Sequence, residues 1–376
     1  MRGPSGSTQG LIAFTASEPA SGSTTGVGSG GDRSRPTRIY VVNPDGTQRG
    51  AVTRASLLKG SLAWSPDGSM LAFTTFDLDR MHERLSVMSP TGAERRVICK
   101  ECTGTFWVAP EDEICVDGGC PKAAPFADRL TWSPDGRWLA APSTPDGGLA
   151  IIEVATGEVH VTSELGPVSG TSWSPDGSEL AVAVDGGSEG LYVVRVPDGA
   201  PTLLHAGDPY TGSPPAWSRD GSTIAFGQAV RAQGDLHAKL LFIDADDGSS
   251  RKILGPRVLY EIYDLEWSPS GDRLAVLHHP VDPPTAALLA VATDGSDVRM
   301  VALCENGRDE DRLCPSNGGG VAWSPTGRRL AFRNYDGRSS ALSVLKIGRR
   351  AVVVSGDLTF GCCFAWSPRP RTEGPR

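Results

Sequence analysis

A chain of 376 residues, 39% of them apolar and 21% charged, is long enough for two ordinary domains or one large all-β domain. Its formal net charge of −8 and isoelectric point near 5.3 exclude nucleic acid as the expected partner, because no basic stripe is present to neutralise phosphates. The longest purely apolar run, Ala286 to Ala292, is seven residues, too short to cross a bilayer as a helix.

The opening MRGPSGSTQG holds one Arg and no apolar segment, so residues 1–10 read as a disordered tail rather than a secretory leader. Leu11-Ile12-Ala13-Phe14 is the first strand-like run. The Gly/Ser-rich stretch from Ser21 to Arg35 has the composition of a flexible linker, and Ile39 to Val42 with the turn Asn-Pro-Asp-Gly follow it. From Trp64 onward one unit repeats: Trp-Ser-Pro-Asp-Gly, then a run such as Leu71-Ala72-Phe73, then a more β-branched run such as Leu85 to Met88. A second Gly turn and a short fourth run, such as Arg96-Val97-Ile98, complete the unit. Its tryptophans are Trp64, Trp132, Trp173, Trp217, Trp267, Trp323 and Trp366, spaced by 68, 41, 44, 50, 56 and 43 residues. A unit of roughly forty residues therefore accepts insertions.

Four strands joined by tight turns make an antiparallel meander. Pro supplies φ near −65° at the second turn position, Asp tolerates the third, and Gly takes positive φ at the fourth. The variants Arg219, Ser270 and Thr326 all keep that Gly. Such a sheet cannot bury both faces alone, whereas seven of them stacked radially can. The tryptophans are expected to pack between adjacent sheets. The chain begins with the run that normally follows the Trp motif and ends on the motif itself, where Pro370 replaces the turn Gly. The two ends are therefore expected to form one blade, its inner strand Cys363 to Ser367. The expected fold is an all-β, seven-bladed β-propeller of four-stranded antiparallel blades over residues 11–369, with a tail at 370–376; six blades is the alternative.

The WSPDG…LAF…LYVV…G pattern resembles the TolB-type, WD-repeat-like propeller repeat, over about residues 11 to 368. The resemblance implies a propeller but no single activity. Propellers of this kind serve as binding scaffolds, as a periplasmic component of the Tol–Pal envelope system, and as gating domains of prolyl-oligopeptidase-like enzymes. Two departures stand out: TolB resembles six blades behind a separate α/β domain, and the peptidases carry an α/β-hydrolase domain. Seven motifs and neither extra domain are read in this chain.

The turns after strands one and three are short. The loops after strands two and four, on the opposite face, carry the insertions: residues 17–38, 74–84, 99–128, 227–239, 277–287 and 304–320. Long loops on a rigid scaffold are where function concentrates. The cysteines lie there too. Cys304 with Cys314, and Cys99 with Cys120 around Cys102 with Cys115, are the favoured bridges, although connectivity among four cysteines has three options. The alternative is a four-thiolate zinc site at Cys99, Cys102, Cys115 and Cys120. Adjacent Cys362 and Cys363 could bridge each other, pair elsewhere or be buried. Bridged cysteines imply a periplasmic or extracellular setting, reduced ones a cytoplasmic one.

Catalytic motifs are missing: there is no HExxH, GxxxxGK or helix-opening GxGxxG, and the GxSxG around Ser188 lies between strands. No catalytic residue, cofactor or resident metal is therefore assigned. His278-His279 read as exposed polarity in a Pro-rich loop. Phe106 and Trp107, with the acidic clusters Glu111-Asp112-Glu113 and Asp309-Glu310-Asp311, are the candidate partner-binding residues. The expected function is a monomeric, non-enzymatic scaffold for a protein or peptide. The alternatives are a channel-mouth lyase or hydrolase on a polysaccharide or peptide, and a sensor domain of a larger assembly.

Overall fold

The computed structural model describes residues 10–17, 37–55, 58–77, 82–100, 130–142, 148–162, 165–185, 189–197, 199–209, 213–232, 235–255, 258–280, 287–303, 320–335, 340–347, 351–355 and 359–368. They form seven four-stranded antiparallel sheets and, among the described residues, no helix. The first strands of the sheets touch their neighbours in a closed circle, which is the inner wall of a seven-bladed propeller. Blade 1 joins Thr359–Trp366 to Ile12–Ser17, Arg38–Val42 and Gly50–Ala51, so the last strand of the chain closes the ring on the first three. The closing strand starts at Thr359, four residues earlier than the expected Cys363, because it pairs along all of Ile12–Ser17 with one irregularity between Phe14 and Ala16. Blades 2 to 7 follow in chain order, with inner strands Leu58–Trp64, Thr131–Trp132, Val168–Trp173, Ala216–Trp217, Leu259–Trp267 and Val321–Trp323.

The core is not one mass but seven slabs, one in each junction between blades. Six of the seven second strands read large-Ala-large (blade 3 has Leu139-Ala140-Ala141), and period-two alternation sends the two kinds of side chain to opposite junctions. In blade 2, Leu71 and Phe73 pack toward blade 1, while Ala72 packs toward blade 3. In blade 6, Leu274 and Val276 face blade 5, while Ala275 faces blade 7. Ala13, Ala72, Ala140, Ala181, Ala225, Ala275 and Ala331 all hold the small position, each 0% exposed. Each therefore leaves room for the Trp and the larger residues of the following blade.

Three expected insertions are partly strand. Residues 227–232 and 235–239 belong to two ten-residue strands, Thr223–Ala232 and Asp235–Asp244, paired out to Ala232 and Asp235. The 74–84 stretch is likewise paired out to Asp77 and His82, and the second strand of blade 6 runs on to Pro280. A long excursion must satisfy its own backbone N–H and C=O groups, and a continued ladder does so without a core.

Candidate functional site

The repeat builds a clasp at the inner wall. The indole N–H of Trp64 donates to the Ala365 carbonyl (3.1 Å), Trp132 to Ala63 (3.0 Å) and Trp173 to Thr131 (3.3 Å). Trp267 donates to Ala216 (2.9 Å) and Trp323 to Glu266 (3.0 Å). In each case the acceptor is the residue just before the Trp of the preceding blade. A buried indole thus satisfies its donor and ties two blades together. The turns stack around the ring as well. A Cβ on Gly136, Gly177, Gly221 or Gly327 would stand 3.4–3.8 Å from the turn Pro of the preceding blade. Within the turns, Asp176 Oδ1 accepts from Ser174 Oγ (2.7 Å) and the Ser178 N–H (3.0 Å), as Asp220 does from Ser218 (2.6 Å) and Ser222 (3.1 Å). These bonds, the serine hydroxyl first, hold both carboxyls below the usual Asp range.

Blades 4 to 6 break the pattern. Trp217 donates to Gly221 of its own turn (3.0 Å) instead of reaching back to blade 4. Its backbone N–H is taken instead by Ser172 Oγ (2.9 Å). Arg219 occupies the turn position that is Pro66, Pro134, Pro175, Pro269, Pro325 and Pro368 elsewhere. Glu266 precedes Trp267 where the other copies have Ala, Thr or Ser, and Asp264 lies two residues earlier on the same side of the strand. A cavity of about 460 Å³ opens here along the inner wall of blades 3 to 6, and Arg219, Asp264 and Glu266 all line it.

The two carboxylates meet the inner edge of blade 7, whose N–H groups have no further strand to pair with. Asp264 Oδ2 accepts from the Val321 N–H and Glu266 Oε2 from the Trp323 N–H, both at 2.8 Å. Enclosure, and then the neighbouring Asp264 charge, push the Glu266 carboxyl up to about 8, although the Trp323 N–H and Arg219 pull the other way. At neutral pH the Glu266 carboxyl is therefore largely protonated.

The other end of the same inner strand, on the loop face, carries a second constellation. Leu236 at the hairpin tip of blade 5 is 40% exposed, and Val258 and Tyr260 of blade 6 are 45% and 37% exposed. His237 and His279 stand edge-on to the Tyr260 ring, with centroids at 5.3 and 5.8 Å. His279 Nδ1 is 3.8 Å from Glu261 Oε2, which also accepts the Tyr263 hydroxyl. His278 contradicts the expectation of an exposed loop residue. It lies on the strand opposite Ile262, is 1% exposed, and neither ring nitrogen has a partner of hydrogen-bonding geometry. Enclosure pushes its pKa down to about 4, so the ring is neutral and packs as an apolar group.

Of the residues singled out in the sequence, Phe106, Trp107, Glu111, Asp112, Glu113, Asp309, Glu310 and Asp311 lie outside the described residues, as do Cys102, Cys115, Cys120, Cys304, Cys314 and Ser188. Cys99, at the end of the outer strand of blade 2, is half-buried and is not a free thiol. Among the described residues no group of three or more His, Cys, Asp and Glu side chains is placed to hold a metal ion. Arg219, Asp264, Glu266 and the Tyr260 surroundings were not anticipated as sites. The signal for the first three was available: Arg219 and Glu266 are ionisable where the other copies are not, and Asp264 is the one carboxylate at its position of the repeat.

No protein-family model matches the chain. Among solved structures, TolB from Acinetobacter baumannii superposes with a TM-score of 0.51 at 20% identity, over 79% of this chain and 64% of TolB, less than two thirds of that protein's length. The Cps50 (Swd1) β-propeller domain of Myceliophteria thermophila gives 0.54 at 16% identity, over 82% of this chain and 90% of that domain. An oligogalacturonate lyase in complex with manganese gives 0.57 at 13% identity, over 84% of each chain. At these identities the likeness is one of fold, and it agrees with the resemblance carried by the repeat.

Proposed function

We propose that this propeller is a binding scaffold that recognises a protein or peptide on its loop face, around Tyr260. The observation that carries the reading is the exposed Tyr260 at the start of blade 6, met edge-on by His237 of the blade 5 hairpin and by His279, which is paired with Glu261. An amphipathic aromatic with a polar border is a common anchor for a partner. In this reading the cysteines of segments 99–128 and 304–320 are bridged, Cys304 with Cys314 and by pairing among Cys99, Cys102, Cys115 and Cys120. The scaffold then works in an oxidising, extracytoplasmic space. Kinship of fold with TolB and with a WD-repeat-type domain supports a scaffold role without identifying the partner.

A random peptide library displayed on phage and panned against the immobilised chain tests this. Enriched peptides are expected to bind in solution and to weaken about tenfold or more on Tyr260→Ala combined with Leu236→Ser. Peptides that bind both proteins equally, or no enrichment at all, would defeat the reading.

A further inference from the structure

In a repeat protein a structural position is filled the same way in every copy, so a residue that departs from the repeat is explained by something other than the shared architecture. The departures of blades 5 and 6 converge. Arg219 replaces a turn proline, Glu266 replaces a small residue, and Asp264 stands where the other copies carry no carboxylate. All three line one cavity of about 460 Å³, a size within the range of small-molecule sites of roughly 300–1,000 Å³. Trp217, which also lines the cavity, makes no inter-blade clasp. Trp173, Trp217, Trp267 and the Pro214-Pro215 pair give the cavity an apolar wall.

We infer that this cavity is a binding site for a small zwitterion, the size of one or two amino acids, whose ammonium group sits against Asp264 and Glu266 and whose carboxylate meets Arg219. Each end has capacity to spare. Among the described residues Arg219 has no hydrogen-bond or ion-pair partner, and it is exposed at the rim. Glu266 uses Oε2 for the Trp323 N–H, and each oxygen of a carboxylate can accept more than one bond. Opposite charges in the lining of one cavity, together with indole and proline surface, select a molecule that carries both charges on an apolar body. An ammonium beside Glu266 displaces its proton, so binding releases a proton to solvent and strengthens as pH rises toward 8. The site is at the turn end of the blade 6 inner strand, whereas the Tyr260 surface is at its loop end, so the two stand or fall separately.

The test is isothermal titration of the full chain with the dipeptide Ala-Trp, its N-acetyl form and its C-amide form, each in two buffers of different ionisation enthalpy at pH 7. The expected result is saturable binding of the free dipeptide with net proton release, weakened about tenfold or more by N-acetylation. Glu266→Gln keeps an oxygen for the Trp323 N–H and should weaken the free dipeptide by a similar factor. Arg219→Pro restores the residue of the other turns, so it should fold normally and lose the preference for free carboxylate over amide. Equal binding of the acetylated peptide, indifference to both substitutions, or no saturation by any of the three at millimolar concentration would overturn the inference.

Discussion

The junction between blades 2 and 3 and the sector from blade 4 to blade 6 are built from the same repeat, yet they do different things with it. In the first, Trp132 clasps the Ala63 carbonyl and Ala72 makes room for it. In the second, the corresponding indole turns back on its own blade, three ionisable residues enter, and a cavity opens along the inner wall. Repetition shows what stability demands of the fold, and the interruption of repetition shows what stability does not explain.

Overpacking the seam should produce the largest effect. Ala275 is fully buried between blades 6 and 7, and Ala275→Leu is expected to cost about 1–3 kcal/mol in chemical denaturation. Tolerance within experimental error would show that the small-residue row is not needed for blade contact.

The clasp gives a sharper contrast. Trp132→Phe leaves the Ala63 carbonyl without its donor and should cost about 1–2 kcal/mol beyond the lost packing, because an unmet buried acceptor is expensive. Trp217→Phe should cost less, since the Gly221 carbonyl lies in a turn that water can reach. Equal losses in paired unfolding curves would remove the distinction between the two junctions.

The smallest expected effect is the most specific. Glu266 is held protonated up to about 8 in the folded chain, whereas an unfolded Glu ionises near 4.3. Between those values the folded state carries the extra proton, so this group makes the fold less stable as pH rises. Glu266→Gln should therefore raise Tm by a few degrees at pH 8 and have almost no effect at pH 4.5. A pH-independent shift would mean that the carboxyl titrates normally.

Much of the architecture could be read from seven tryptophans and the Gly that follows each turn, because both answer local demands. Trp267 had to be buried and a turn Gly such as Gly271, at φ +76°, had to be free of a Cβ, whatever the surroundings. The paired reach of Thr223–Ala232 with Asp235–Asp244 was not legible. A ladder that continues past the core is held by backbone bonds, and its side chains, Gln228 and Arg231 among them, look like those of a loop. His278 was misread for the same reason: its Pro-rich neighbourhood suggested a loop, but its ladder places it between two strands.

The sequence by itself determined the repeat, the number of blades, the antiparallel meander and the closure of the ring by its two ends, since these follow from period-two alternation, turn sterics and the need of each sheet to bury its faces. Only the tertiary structure decided which departures from the repeat matter. Arg219 and Glu266 are forty-seven positions apart, and their meeting across one cavity comes from the rotation of one blade against the next. That rotation is set by side chains packing across seven junctions at once, and no local stretch of the chain encodes it.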